Sequence, residues 1–389
     1  MNIGIFTEVY LPQINGVVTT ICTLEKELKL LGHNVYIFTN YYPGYNNDNS
    51  NVFRLPSIPF ALDKACRIGS FYSHEIMKEI KKIKLDIIHT NTEFSMGLFG
   101  RIVAKKLRIP VVHTYHTIYE DWVNDSISNN AIAGIASNVV ISISKSHCNI
   151  CNKIIVPSMK VRKLLVGYGI KKNIEILPNG IELEPFYKIN KEYTPEKIIE
   201  FKKSIGINEN DKVLLNIGRQ SKEKNIESIF YALEKLVKTN SNIKLVIVGD
   251  GPNKENLEDL SEKLKLKDNI IFLGKKPRKD IEKYYKIADI FITPSTFETQ
   301  GLTVLEAMAA NIPVVVKKDE AFEDIIENDV TGFIFENDEE LADLINRLLN
   351  NKILLNDISN NAFSKIENFS AIGFSKNIER IYQEEIKNY

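Results

Sequence analysis

The stretch 213-VLLNIGRQSKEKNIESIFYALEKLVKTNSNIKLVIV-248 sets the architecture. Val213–Ile217 is an apolar run of strand length, 225–238 carries apolar residues at helical spacing, and Lys244–Val248 is a second strand-like run. A strand, a crossover helix and a second strand form a βαβ unit, which brings the two strands together in parallel.

Working outward, the same alternation recurs. Downstream come a helix at 253–265, strands at 270–273, 290–293 and 313–316, and helical segments from about 338. Upstream, Ile3–Phe6 is a strand, and Ile21, Leu24, Leu28 and Leu31 mark a helix over 17–31 that Gly32 stops. Strands follow at Val35–Phe38, Val52–Leu55, Asp86–His89 and Pro110–His113, with helices around Ile76, Ile80 and Ile83 and near 97–107. Ala136–Ile143 and Lys153–Val156 carry the pattern on. The segment IEILPNGIELEPF (174–186) interrupts it with proline, glycine and lost periodicity, and reads as a linker. The expectation is an α/β protein with two Rossmann-like domains, residues 1–185 and 186–370. Their parallel sheets would face each other across a cleft that holds the site.

Composition fits this. The 389 residues contain 50 Lys+Arg and 50 Asp+Glu, 44% hydrophobic and 26% charged residues, so the chain is globular and not disordered. Zero formal net charge argues against a nucleic-acid partner. The zero is a cancellation: residues 1–185 carry 20 basic against 15 acidic side chains, and the remainder 30 against 35. Four cysteines make no disulfide framework, and no apolar run reaches membrane-spanning length. The N-terminus lacks the basic and apolar regions of a signal peptide, so a cytoplasmic protein is expected.

Three strand-to-helix junctions could carry chemistry. In FTEVYLPQINGVVTTI (6–21), Gly16 opens a helix whose bare N–H groups could receive an anion; an ordinary connecting loop would look the same. In NIGRQSKEKN (216–225), Arg219 offers a planar fork and Lys224 a mobile point charge, a pair suited to a diphosphate or else a solvated charge cluster. In PSTFETQGLTVLEAMAAN (294–311), Glu298 lies in a loop and Gly301 opens the helix that carries Glu306. The N–H groups of Gln300, Gly301 and Leu302 would point outward at that helix start.

Other features read as structural. His113 and His116 follow a strand, and Cys148-x-x-Cys151 fits helix packing better than zinc or a redox pair. GDGP (249–252) lacks the third glycine of a dinucleotide fingerprint. Near 71–84, Tyr72, Ile76, Met77, Ile80 and Ile83 share one helix face and Lys78, Lys81 and Lys82 the other. This is either a basic amphipathic helix on an anionic membrane surface or a surface helix packed on its own sheet.

FTEVYLPQINGVVTT, HTYHT, ILPNGIE, GRQSKEKN, VGDGP and FETQGLTVLEAMA, with its Glu-x7-Glu spacing, together resemble a retaining glycosyltransferase of family 4 with the GT-B fold. HTNTEFSMGLFG (89–100), HTYHTIYEDW (113–122) and ETQGL (298–302) resemble the bacterial members that glucosylate diacylglycerol. The resemblance implies that Arg219 and Lys224 bind the donor diphosphate and that Glu306 takes the ribose hydroxyls. Glu298 with Thr299, Gln300, Gly301 and Leu302 would hold the donor hexose. Gly16 would approach the phosphate, His116 would reach the sugar, and Lys275 and Lys276 would lie by the nucleotide base. Residues 1–185 become the acceptor side and 186–370 the nucleotide-sugar side, with a C-terminal helix at 371–389 crossing back to the first domain. The implied reaction moves glucose from UDP-glucose to the free hydroxyl of 1,2-diacylglycerol with the α configuration kept. It needs no cofactor and no metal, the basic pair replacing the ion, and takes place peripherally on the inner face of the cell membrane. Another acceptor (a polysaccharide, an inositol phosphate or a small thiol precursor), another donor sugar, an epimerase, or a non-catalytic nucleotide-sugar binder would keep the same motifs.

Overall fold

The computed structural model describes residues 1–45, 49–60, 67–120 and 130–389. Asp121 and Trp122, the end of HTYHTIYEDW, lie outside the described residues. Two compact units are formed, Met1–Gly180 with Ala371–Tyr389, and Ile181–Ser370. The division falls five residues before the one expected from the linker, because Ile181 and Leu183 are already buried in the second unit's core while Leu177 packs in the first.

The first unit holds a seven-stranded parallel sheet. Its strands are β1 (Asn2–Phe6), β2 (Asn34–Asn40), β3 (Val52–Leu55), β6 (Ile87–Thr90), β7 (Val111–Thr114), β8 (Lys153–Val156) and β9 (Ile174–Ile176), in the order β3-β2-β1-β6-β7-β8-β9. Between β3 and β6 a small antiparallel pair, β4 (Ser57–Pro59) and β5 (Arg67–Gly69), stands apart. Side chains alternate between the two faces of each strand. Ile3, Ile5, Val35, Ile37 and Ile87 meet the helix Gly16–Leu30 and the C-terminal helix Ala371–Asn388 on one face. Phe6, Phe38 and Ile88 meet the helices His74–Ile83 and Ser95–Leu107 on the other. Both faces are covered, which is why the strands read as near-continuous apolar runs. The C-terminal helix is tied down by Phe374, Ile378 and Ile381 in that core and by Tyr382, whose hydroxyl lies 2.6 Å from His89 Nδ1.

Ala136–Ile143 lies within the helix Asn130–Ile150, where Ala133, Ser144, His147 and Cys148 are buried at helical spacing. In the helix His74–Ile83 the apolar face is spent on its own sheet: Ile76, Met77 and Ile80 are buried with Phe6 and Phe38, while Lys78, Lys81 and Lys82 stay exposed.

The second unit repeats the plan with β10 (Lys212–Ile217), β11 (Ile243–Val248), β12 (Ile270–Gly274), β13 (Ile290–Thr293), β14 (Val314–Lys317) and β15 (Phe333–Phe335). All are parallel, in the order β12-β11-β10-β13-β14-β15. Val213 and Leu215 face one core layer and Leu214 the other.

Candidate active site

In the second sheet the chain moves outward from β10 to β12, then returns to place β13 on the far side of β10. The loops leaving the carboxyl ends of β10 and β13 diverge at such a point and leave a crevice where ligands bind in open α/β sheets. Residues 218–225 and 294–301 are those two loops.

The first loop is set by close backbone approaches. Gln220 N donates to Asp250 O at 3.0 Å and Gln220 Nε2 to Gly249 O at 2.9 Å. A Cβ on Gly249 would stand 1.8 Å from Gly218 O, so the GDGP glycines serve chain contact rather than a dinucleotide. Arg219 is exposed on this loop. Lys224 closes a 3₁₀ turn (Lys222–Lys224), and its Nζ donates to Glu298 Oε1 at 2.6 Å. The side chains are 26% and 18% exposed, so the ion pair is partly shielded from water and tethers the β10 loop to the β13 loop.

The second loop ends in Thr299, the buried Gln300 and Gly301. Gly301 has φ +87°, and a Cβ there would meet Phe322 at 2.6 Å, so glycine is required twice over. The helix Leu302–Ala309 starts after it without a side-chain cap, which leaves its first N–H groups for an anionic or hydroxyl partner. One turn on, Glu306 is buried; its Oε1 lies 2.9 Å from Arg278 Nη2, and its Oε2 accepts from Tyr285 OH at 2.8 Å. Lys275 and Lys276 follow β12, the first exposed and the second half-buried.

Gly16 and His116 belong to the first unit. Gly16 is the exposed first residue of its helix, capped by Asn15, whose side chain accepts from Val18 N at 2.9 Å. His116 is buried beyond β7, with Nε2 2.9 Å from Asn91 Oδ1. Burial, then the neighbouring His113, lowers its pKa to about 3, so the ring is neutral near pH 7.

Around it lies a polar network that the sequence did not disclose. β1 and β6 are neighbours at this sheet's own reversal point, and their ends bring Glu8 to Asn91, Thr92 and Glu93. Glu8 Oε1 accepts from Ser95 Oγ at 3.1 Å and from Met96 N at 2.5 Å, closing the helix Ser95–Leu107 that Phe94 leaves uncapped. Burial raises its pKa to about 7, with Glu93 adding to the effect of burial. Glu93 in turn receives Tyr119 OH at 2.6 Å and lies 3.2 Å from His113 Nε2. Burial pushes the Cys151 thiol up to about 12 and the Cys148 thiol higher still, which removes both as reactive thiolates.

The residues on the two loops after β10 and β13 were visible in the sequence, whereas Arg278, Tyr285, Glu8, Asn91 and Glu93 were not. The one available signal was that Glu8 and Asn91–Glu93 both directly follow a strand.

Residues 14–185 match the family described as Glycosyltransferase Family 4, and residues 197–365 match Glycosyl transferases group 1. An alpha-monoglucosyldiacylglycerol synthase of Streptococcus pneumoniae is 36% identical over 388 residues, covering 99% of this chain and 86% of that protein. The protein of the same name from Acholeplasma laidlawii is also 36% identical, covering 98% of this chain and 96% of that one. Among solved structures, Anabaena HepE in complex with UDP-glucose superposes with a TM-score of 0.77 at 18% identity, over 99% of this chain and all of that one. Sucrose-phosphate synthase from Thermosynechococcus elongatus gives 0.78 at 19%, over the whole of both chains. The chain belongs to the family 4 glycosyltransferases and is built, as they are, on two Rossmann-like domains of the GT-B fold.

Proposed function

We propose that this enzyme transfers glucose from UDP-glucose to the free hydroxyl of 1,2-diacylglycerol, with the α configuration retained and no metal required. The observation that carries the reading is the near full-length similarity to two alpha-monoglucosyldiacylglycerol synthases. The donor loops supply matching chemistry. Breaking a sugar–phosphate bond puts negative charge on the leaving diphosphate and positive charge on the anomeric carbon. Arg219, Lys224 and the uncapped start of the helix Leu302–Ala309 stabilise the first of these where it develops. Lys224 is held by Glu298 and has a flexible stem, so a diphosphate can draw it away, freeing the Glu298 carboxylate for sugar hydroxyls.

Retention requires the acceptor to attack from the side of the departing diphosphate. That diphosphate can take the acceptor's proton. His116, with its pKa near 3, is a poor base near neutrality and acts as a positioning group.

The protein works peripherally on the inner face of the cell membrane. Among the described residues no helix is long and apolar enough to cross a membrane. Contact comes from the exposed Lys78, Lys81 and Lys82, each contributing about 1 kcal/mol at an anionic surface. In the same unit Leu11, Ile14, Tyr41, Ile58 and Phe71 are exposed, offering apolar contact to a lipid. Arg54 donates to Leu11 O at 2.7 Å and Ser57 Oγ to Tyr41 O at 2.6 Å, which joins the Leu11 loop to the segments around Tyr41 and Ser57.

The test is incubation of the enzyme with radiolabelled UDP-glucose and mixed lipids, followed by extraction into organic solvent. Label in the organic phase that depends on added diacylglycerol is expected; label confined to the aqueous phase overturns the lipid reading.

A further inference from the structure

Glu306 is the one residue of the Glu-x7-Glu pair that is buried, and its surroundings specify its orientation more tightly than its sequence neighbours do. A buried carboxylate is costly unless it is paired and hydrogen-bonded. Here both partners come from the segment after β12. Arg278 stands in a 3₁₀ turn (Arg278–Asp280), and Tyr285 on the helix Ile281–Lys286. Arg278 Nη2 takes Oε1 at 2.9 Å, and Tyr285 OH takes Oε2 at 2.8 Å. Tyr285 is fully buried between Phe186 and Phe291 and acts as a fixed post. Arg278 is steadied from its other side by Glu282, whose Oε1 lies 3.5 Å from Nη1.

A carboxylate offers about four lone-pair sites, two on each oxygen. Arg278 and Tyr285 take one from each. Each oxygen can therefore still accept a further hydrogen bond, which suits two adjacent hydroxyls. If either partner is removed, the carboxylate can turn about its own bond and its two oxygens are no longer held in place.

We propose that Arg278 and Tyr285 are positioning residues that fix the Glu306 carboxylate and thereby set how strictly the enzyme demands an intact ribose diol on its nucleotide donor. The proposal rests on Glu306 receiving the ribose hydroxyls. It assigns to two residues outside the loop motifs the control of ribose against deoxyribose discrimination.

The experiment compares kcat/KM for UDP-glucose and for its 2′-deoxyribose analogue in the wild type and in the variants Tyr285→Phe, Arg278→Lys and Arg278→Met. A hydrogen bond to a charged group predicts a wild-type preference for the ribose donor of about 10- to 100-fold. In Arg278→Met and Tyr285→Phe that ratio should fall to within about 3-fold of unity, with the loss carried by KM for UDP-glucose. Arg278→Lys keeps the charge and should recover part of the ratio. Tyr285→Phe removes a single oxygen and preserves packing, so it reports even if Arg278→Met folds poorly. A wild-type ratio near one overturns the assignment of Glu306 itself. A clear wild-type preference that persists in both Tyr285→Phe and Arg278→Met overturns the role of Arg278 and Tyr285 while leaving Glu306 in place.

Discussion

The two sheets share a plan: each reverses its strand order beside its first strand, and each gathers polar residues at the strand ends of that reversal. What they gather differs. The second unit collects full charges with partial access to water, Arg219, the Lys224–Glu298 pair and the Arg278–Glu306 pair. The first collects groups whose charge is suppressed. Burial lowers His116 to about 3 and His89 and His147 well below the ordinary range, and raises Glu8 to about 7. The second unit's edge carries ion-paired charges, and the first unit's edge carries buried histidines that are neutral near pH 7. The chain-level balance points the other way, since the first half is the basic one. Lys78, Lys81 and Lys82 contribute to that excess and are exposed on the helix His74–Ile83. Local burial, and not the sum of charges, decides what each edge can bind.

The sharpest way to break this contrast is to remove charge from the charged edge. Lys224→Ala should lower kcat/KM for UDP-glucose by about 10²- to 10³-fold, the scale of losing one donor to a developing oxyanion. A loss under threefold in steady-state kinetics would place the diphosphate elsewhere. Next in size, the triple change Lys78→Gln, Lys81→Gln and Lys82→Gln should weaken binding to anionic vesicles by roughly 100-fold, at about 1 kcal/mol per lysine. Binding to neutral vesicles should be unaffected in a sedimentation assay. Equal weakening on both lipids would point to lost folding.

At the neutral edge the expected effect appears in stability. Glu8 has a folded pKa of about 7 against an ordinary 4.5. Between those values the folded state holds a proton that the unfolded state has lost, so the Glu8 contribution is full below about pH 4.5 and declines as pH rises toward 7. Glu8→Gln, which cannot ionise, should remove that decline. Its stability relative to wild type should rise by roughly 2–3 kcal/mol between pH 4.5 and 7.5 in urea titrations. His116 has the opposite sign: its neutral folded form contributes stability that is present above pH 6.5 and lost as pH falls toward 3. The smallest effect is on turnover by His116→Ala. A positioning role predicts about a tenfold loss; a loss beyond 10³-fold would restore it as a base.

The alternation of strands and helices was legible because parallel strands buried on both faces leave continuous apolar runs, as at Val213–Ile217. The loops holding Lys224 and Glu298 were legible because each directly follows a strand. Nothing local showed that the two side chains would meet, 74 positions apart, and their pairing depends on β10 lying beside β13. Arg278 and Tyr285 were hidden by the same cause, since only tertiary packing brings the segment after β12 to the helix Leu302–Ala309. Glu8 needs β1 beside β6, a neighbourhood that the order of the chain does not announce.

Calorimetric titration of UDP into the wild type, Lys224→Ala and His116→Ala tests the division between the two edges most directly. The account predicts that Lys224→Ala weakens UDP binding by at least about tenfold, the scale of a hydrogen bond to a charged group, while His116→Ala binds as the wild type does. Equal weakening in both variants, or full binding by Lys224→Ala, would contradict it.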